Sequence, residues 1–538
     1  MGAFERSGPD KISRSIGATF ATFDRTIMIG KWLSCATQHQ VQSLERSWRV
    51  RETNLSFLIL SGSSFHLHSS SHSSLRTMSE QPNVIIVGGG LGGLTAAILL
   101  ERAGIKYHVF ERAKEVKPLG AGIILNAAIQ PVFEQLGILD AIRGISKKVH
   151  TIDYCKEDME RFFSFDLSTS MEATGYDSIV STRGELYDTL LSQIPPSKIT
   201  MGKKVMSIEQ NDLGAMVRLN DGATHHCDIL IGADGAYSAI RQCLYKRLVK
   251  TGDLPATDKD DLYVGFVCMV GTTVPLDPEK YPDLTNEFSK FVQVTGQDKP
   301  YAWTTLSVSG NRICWSAKMQ IDSTLQSKDM MFKNSEWGSE SNGDMIQAIR
   351  NFTNPFGGTL GDLIDATPEG LISKVYLEEK IFETWHGGRT VLIGDACHKM
   401  LPSAGMGAMN AMQDAVALVN NIYDLEANTP EAISKAFQLY YDERYSRAKQ
   451  QYETSKIHGR LIYGQTLLQR AGRYVFSNWM PKSVLLKSFI KAGAYRPCAV
   501  FLPLPENRGI GHVEPQKPSK RYLQEQEDRP TSTAAFAL

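Results

Sequence analysis

The sequence predicts a mixed α/β (α+β) protein. Three separate stretches predict it, each an apolar strand that runs through a small-residue turn into a helical pattern. The first is Val84-Ile85-Ile86-Val87 with Gly88-Gly89-Gly90-Leu91-Gly92-Gly93 behind it. The second is Cys227-Asp228-Ile229-Leu230-Ile231-Gly232, followed by Ala233-Asp234-Gly235 and a helix through Arg241. The third is Thr390-Val391-Leu392-Ile393, followed by Gly394-Asp395 and the loop Pro402-Ser403-Ala404-Gly405-Met406-Gly407. Met409, Met412, Val416 and Val419 then give one apolar helical face.

The first stretch carries the most specific signal. A short β-branched run suits a strand buried on both faces of a parallel sheet. Gly88 allows a tight turn, Gly90 lets the backbone approach a pyrophosphate at a helix start, and Gly93 lets the helix lie close on the strand. About twenty residues on, the strand Tyr107-His108-Val109-Phe110 ends in Glu111, where a carboxylate can accept from both hydroxyls of an adenosine ribose. A glycine triplet alone also fits a flexible loop. Strand, helix and acidic residue together favour a Rossmann-like dinucleotide-binding domain.

Composition narrows the rest. The 58 Lys+Arg balance 58 Asp+Glu over 538 residues, so no global charge points to nucleic acid. The eight cysteines form no CxxC pair and no metal-ligand spacing, which reads as free thiols in a reducing, cytoplasmic compartment; no metal is expected. No run of about eighteen apolar residues is present to cross a membrane.

In chain order, residues 1–80 read as a disordered extension or a start placed too early. The second reading is preferred, because Met78-Ser79-Glu80-Gln81 would put the first strand just after an initiator methionine. His66, His68 and His72 lie in a serine-rich tract and read as solvated. Residues 81–261 form the first part of the nucleotide domain, 262–380 a β-rich domain carrying the substrate cavity, and 381–430 the return of the nucleotide domain. Residues 431–505 read as helical and 506–538 as a disordered tail.

Within 81–261, residues 150–172 alternate as antiparallel strands, and Asn220-Asp221-Gly222 turns a hairpin. Arg183 opens a helix, where a cation is misplaced unless an anion stands beside it; this suggests a phosphate contact, with a surface salt bridge as the plainer alternative. The small residues around Ala121 and Gly122 would let a cofactor approach the backbone. The loop through Gly405 and Gly407 again points backbone N–H groups and a helix dipole forward, here toward an expected flavin ring, with Asp395 on the ribityl chain. Lysines at 482, 487 and 491 beside Trp479, Leu485, Leu486, Phe489 and Ile490 suit either a helical cap, the preferred reading, or peripheral membrane contact through residues 479–491.

These three motifs, in this order across roughly residues 83–430, resemble the single-component FAD-dependent monooxygenase family that includes p-hydroxybenzoate hydroxylase. Pro402-x-x-Gly405-x-Gly407 and the late Phe501-Leu502-Pro503 look like the fungal enzymes that epoxidise or hydroxylate prenylated natural products. The resemblance implies FAD as cofactor, with NADPH or NADH and O2 as co-substrates. It also implies oxygen transfer through a flavin hydroperoxide to an aromatic or prenylated small molecule.

Carried over residue by residue, Gly88, Gly90 and Gly93 hold the pyrophosphate and Glu111 the ribose. Ala121 or Gly122 and Arg183 make further contacts, and Asp395 and Ala408 meet the ribityl and ring portions. Asp234 serves both FAD and NADPH. Cys397 stands where the family usually has Ala, and Met406 where Gln is common. No catalytic acid or base is assigned; Tyr263, Trp303 and Trp315 are candidates to line the cavity, though each is individually more typical of a core. The rivals are a halogenase or alkene reductase on the same fold, and a non-catalytic prenyl-binding carrier. A halogenase lysine-and-tryptophan motif is not seen around Trp303 or Trp315, and a carrier has no use for the Gly394-Asp395 loop.

Overall fold

The computed structural model describes residues 81–528 apart from 121, 298–299, 322–342 and 465. The expectations for residues 1–80, for Ala121 and for residues 529–538 lie outside the described residues.

Val84–Val87 is buried at every position because it lies inside a six-stranded sheet, flanked by Ile229–Gly232 and Tyr107–Phe110. Thr390–Leu392 follows on the far side of Ile229–Gly232. These inner pairings are parallel and level: Val87 lies beside Phe110 and Gly232, and Gly232 beside Leu392. The three predicted turns therefore leave one edge of one sheet, where ligands of open α/β folds bind. The hairpin Ala215–Leu219/Thr224–Cys227 forms as expected, with Gly222 at φ +86° in its turn.

The second domain is built on an eight-stranded sheet. Tyr263–Thr272, Arg312–Gln320 and Tyr301–Val308 run antiparallel through its centre. Thr151–Lys156 and Arg161–Asp166 form one edge of it, so residues within the expected 81–261 segment belong to this sheet instead. A pairing with Phe291–Thr295, far along the chain, decides this, and alternation alone could not name that partner. One face packs on the helices Gly343–Ile349 and Leu360–Asp365. The other meets the end of the long helix Pro430–Tyr463.

Residues 431–505 are mainly helical, as expected. Trp479 and Val484 are exposed on the helices Leu467–Trp479 and Lys482–Ala492; the side chains of Leu485, Leu486 and Phe489 lie outside the described residues. No described helix is long and apolar enough to cross a membrane. The expected disorder after 506 is corrected as far as residue 528. That segment is tied down by Arg447–Glu514 at 2.7 Å, by Arg508–Glu134, and by Tyr423 Oη donating to Glu525 at 2.6 Å on the helix Lys520–Glu527. Polar contacts to partners up to hundreds of residues away leave no local sequence pattern.

Candidate active site

The first glycine turn fits because nothing larger could. Gly88 has φ +106°, and a Cβ there would lie 2.3 Å from the Ala233 carbonyl oxygen. A Cβ on Gly93 would lie 2.0 Å from the Gly88 oxygen. The turns at 88 and 234 thus touch. A Cβ at Gly394 would lie 2.8 Å from Ala411, and one at Gly92 would lie 3.2 Å from the same methyl, so the third turn joins them through the helix Gly407–Tyr423. Arg241 ties the second turn to the third, donating to the Ala236 and Ala396 carbonyls at 2.6 and 2.8 Å.

Around these turns the groups that would grip a nucleotide come together. Gly90 caps the helix Leu91–Arg102 with no side-chain cap and no acid in the first turn, and a Cβ on it would meet nothing within 4 Å. The helix Gly407–Tyr423 likewise starts without a side-chain cap, and Ala408 lies half-buried in its first turn. Both starts leave backbone N–H groups without a side-chain cap. Glu111 is oriented by the Gly89 and Ala113 N–H groups, which donate to its two carboxylate oxygens at 2.7 and 2.8 Å.

Arg183 opens the helix Arg183–Leu191 against Gly120, whose Cβ would lie 3.1 Å from Arg183 Cδ. Burial lowers the Arg183 pKa, and the nearby Asp395 charge acts against this. Burial pushes the Tyr187 phenol up to about 12, helped by the Glu111 charge. Its hydroxyl is buried without a hydrogen-bond partner among the described residues. Asp395 accepts from Lys399 at 2.6 Å. Burial raises its pKa, but Lys399, His398 and Arg183 outweigh this and hold it below the usual carboxylate range.

Asp234 sits at the junction with its carboxylate engaged. It accepts from Ser238 Oγ and from the Ala239 and Ile240 N–H groups, capping its own helix, and burial raises its pKa. Its contribution to the cleft is the shape of the turn. Gly122 lies against the eight-stranded sheet, its Cβ 2.7 Å from Leu306. Gly405 has φ +65° and faces Ile124. The loop 401–403 is clamped from behind: Ser455 Oγ donates to the Leu401 carbonyl at 2.6 Å, and His458 Nδ1 lies 2.8 Å from the Ser403 carbonyl oxygen.

Trp303 and Trp315 do not line this space, which corrects the sequence expectation. Both are buried in the opposite core, donating to the Thr353 carbonyl and to Thr367 Oγ1, each at 2.9 Å. Tyr263 is 52% exposed at the start of its strand. Strand parity decides these positions, and parity is fixed only when the partners are known.

Sequence reasoning also missed Asp414, Arg444 and His398. Asp414 is fully buried and accepts from Arg444 Nε at 2.7 Å, from the Gly394 N–H at 2.9 Å and from His398. Burial raises the Asp414 pKa, and His398 and Arg444 more than reverse that. Charged residues inside helical patterns give no signal of this pairing.

This edge is that of a flavin-binding α/β protein, and the sequence profile of the FAD binding domain matches residues 81–256 and 362–455. The chain is 30% identical over 454 residues to FAD-dependent monooxygenase ausM of Penicillium brasilianum, covering 82% of this chain and 91% of that one. It is 28% identical over 457 residues to FAD-dependent monooxygenase paxM of Penicillium paxilli, with the same coverages of 82% and 91%. Klebsiella pneumoniae HpxO, solved with FAD and uric acid, superposes with TM-score 0.63 at 21% identity, over 79% of this chain and 99% of that one. The chain belongs to the FAD-dependent monooxygenases, and the fungal relatives agree with the branch its sequence resembles.

Proposed function

We propose that this monooxygenase consumes NADPH or NADH and dioxygen to hydroxylate or epoxidise an aromatic or prenylated small molecule. The observation that carries the reading is the convergence of three strand-end turns, two uncapped helix starts, Glu111 and the unpartnered Tyr187 hydroxyl on one cleft. FAD held in this cleft would supply the redox chemistry, hydride acceptance and dioxygen activation, with one oxygen atom going to substrate and the other to water.

The chain binds and orients. The N–H groups behind Gly90 would hold the pyrophosphate and Glu111 the ribose. The start of Gly407–Tyr423 favours negative charge on the flavin by about 0.3–1 kcal/mol. Lys399 and Arg183 keep Asp395 ionised as an acceptor for the ribityl hydroxyls. The serine and histidine clamp behind residues 401–403 fixes the loop that leads into Gly405 and Gly407.

Purified protein is expected to be yellow and to oxidise NADPH faster with prenylated phenols than without, incorporating isotopic label from dioxygen into product. Label-free halogenated or reduced product would support the rival flavoenzymes. Colourless protein that cannot be reconstituted with FAD would support a carrier.

A further inference from the structure

The face of the eight-stranded sheet opposite the tryptophans carries a buried polar band. Gln293 pairs with Thr304, Thr304 with Ser316, Ser316 with Val270 and Val270 with Ser373, so these side chains share one face. At one end the band is bounded by Leu306, on which Gly122 rests. At the other it meets a cluster containing Leu401 of the flavin loop, Ile462 and Tyr463. The helix that clamps the loop through Ser455 and His458 reaches Tyr463 little more than a turn later. The band thus lies on the sheet face that meets both segments expected to flank the flavin ring, Gly122 at one end and Leu401 at the other.

Burying polar side chains in an apolar wall is costly for each one left without a partner. Here the Gln293 Oε1 and Ser373 Oγ atoms are both buried without one. Beside them lies Lys318, 7% exposed. Its ammonium donates to Thr304 Oγ1 and Ser316 Oγ, both at 2.8 Å, and stands 5.2 Å from the Tyr463 ring centre. Its third N–H has no acceptor and its charge no carboxylate within ion-pair distance among the described residues. Burial accordingly lowers the Lys318 pKa. A cation kept inside a protein without an anion is expensive unless a ligand completes it.

We propose that Lys318 anchors the substrate, donating from its ammonium to a phenolic or carbonyl oxygen on an otherwise apolar molecule that lies along the band Gln293–Thr304–Ser316. The inference rests on the cleft being the monooxygenase site proposed above, and it adds the oxygen function that the substrate must carry. Lys318 is a positioning residue; the oxygen it holds fixes which carbon faces the flavin.

Binding to FAD-loaded full-length protein tests this through the flavin absorbance, with para-prenylphenol and para-prenyltoluene, which match in shape and differ in the oxygen. A hydrogen bond from a charged donor is worth about 1.5–3 kcal/mol, so the phenol should bind at least about tenfold tighter. Lys318→Met should bring that ratio near one, Lys318→Arg should keep part of it, and FAD occupancy and Tm should match the parent. A parent ratio near one, a ratio unchanged in Lys318→Met, or no response to either ligand at millimolar concentration overturns the proposal. Should Lys318→Met lose FAD, an arginine variant that regains FAD without the phenol preference also overturns it. The ratio is read from binding, so protein that shows it but never oxidises NADPH or NADH defeats the proposed reaction and leaves the anchor standing.

Discussion

The two faces of the eight-stranded sheet differ by one residue along each strand and by everything in chemistry. Trp303 and Trp315 seal one face against two helices, each indole N–H satisfied inside the core. Their chain neighbours Thr304 and Ser316 turn to the other face and carry an ammonium with donor capacity to spare. A face whose large indoles are paired inside a core stores stability, whereas a buried ammonium with donor capacity to spare suits a group that arrives later, as proposed above. Large aromatic residues draw attention in a sequence, yet here they belong to the scaffold.

Four experiments would break or sharpen that contrast. The largest effect is expected from Trp315→Ala, which should cost about 3–5 kcal/mol of unfolding free energy through the cavity it leaves. Its ligand preferences at low temperature should stay those of the parent, and a changed phenol-to-toluene ratio with unchanged denaturant midpoint would erase the distinction between the faces.

Next comes cofactor removal. Saturating FAD at about a hundred times its Kd should stabilise the apoprotein by about 2.7 kcal/mol, read as a rise in Tm. The same increment should appear in Trp315→Ala, since that face does not touch the cleft.

Asp395→Ala should weaken FAD by about 1.5–3 kcal/mol, because it removes a charged acceptor and leaves Lys399 uncompensated. Equilibrium dialysis giving parental occupancy at limiting FAD would remove Asp395 from the site.

The smallest change is Thr305→Val on the tryptophan face. Its hydroxyl is buried with no partner, so an isosteric apolar group should be neutral or stabilising by up to about 1 kcal/mol. Thr304→Val, one residue away, should instead lower the phenol preference. Equal effects from the two would show that parity does not separate core from site.

Much of the molecule was legible before any coordinates. The turns at 88, 234 and 394 and the family they imply were readable because strand, glycine and helix start lie within about ten residues, where local sterics and backbone hydrogen bonding set the outcome. The register of Val87 beside Gly232 then sets the second strand end next to the first turn. Arg183 is half-buried, and the Asp395 charge of the third turn acts on it, which no local pattern around residue 183 could show.

What the chain determined by itself, then, is the strand–turn–helix edge and the nucleotide chemistry it offers. Only tertiary structure decided that Trp315 faces a core while Lys318 is buried on the other face of the same sheet against Thr304 and Ser316, that Arg444 and His398 neutralise Asp414, and that residues 506–528 pack down through partners such as Arg447. The reason is physical: the face a strand presents depends on the register of its neighbours. A buried charge, likewise, is tolerated only by a counter-charge, wherever along the chain that residue lies.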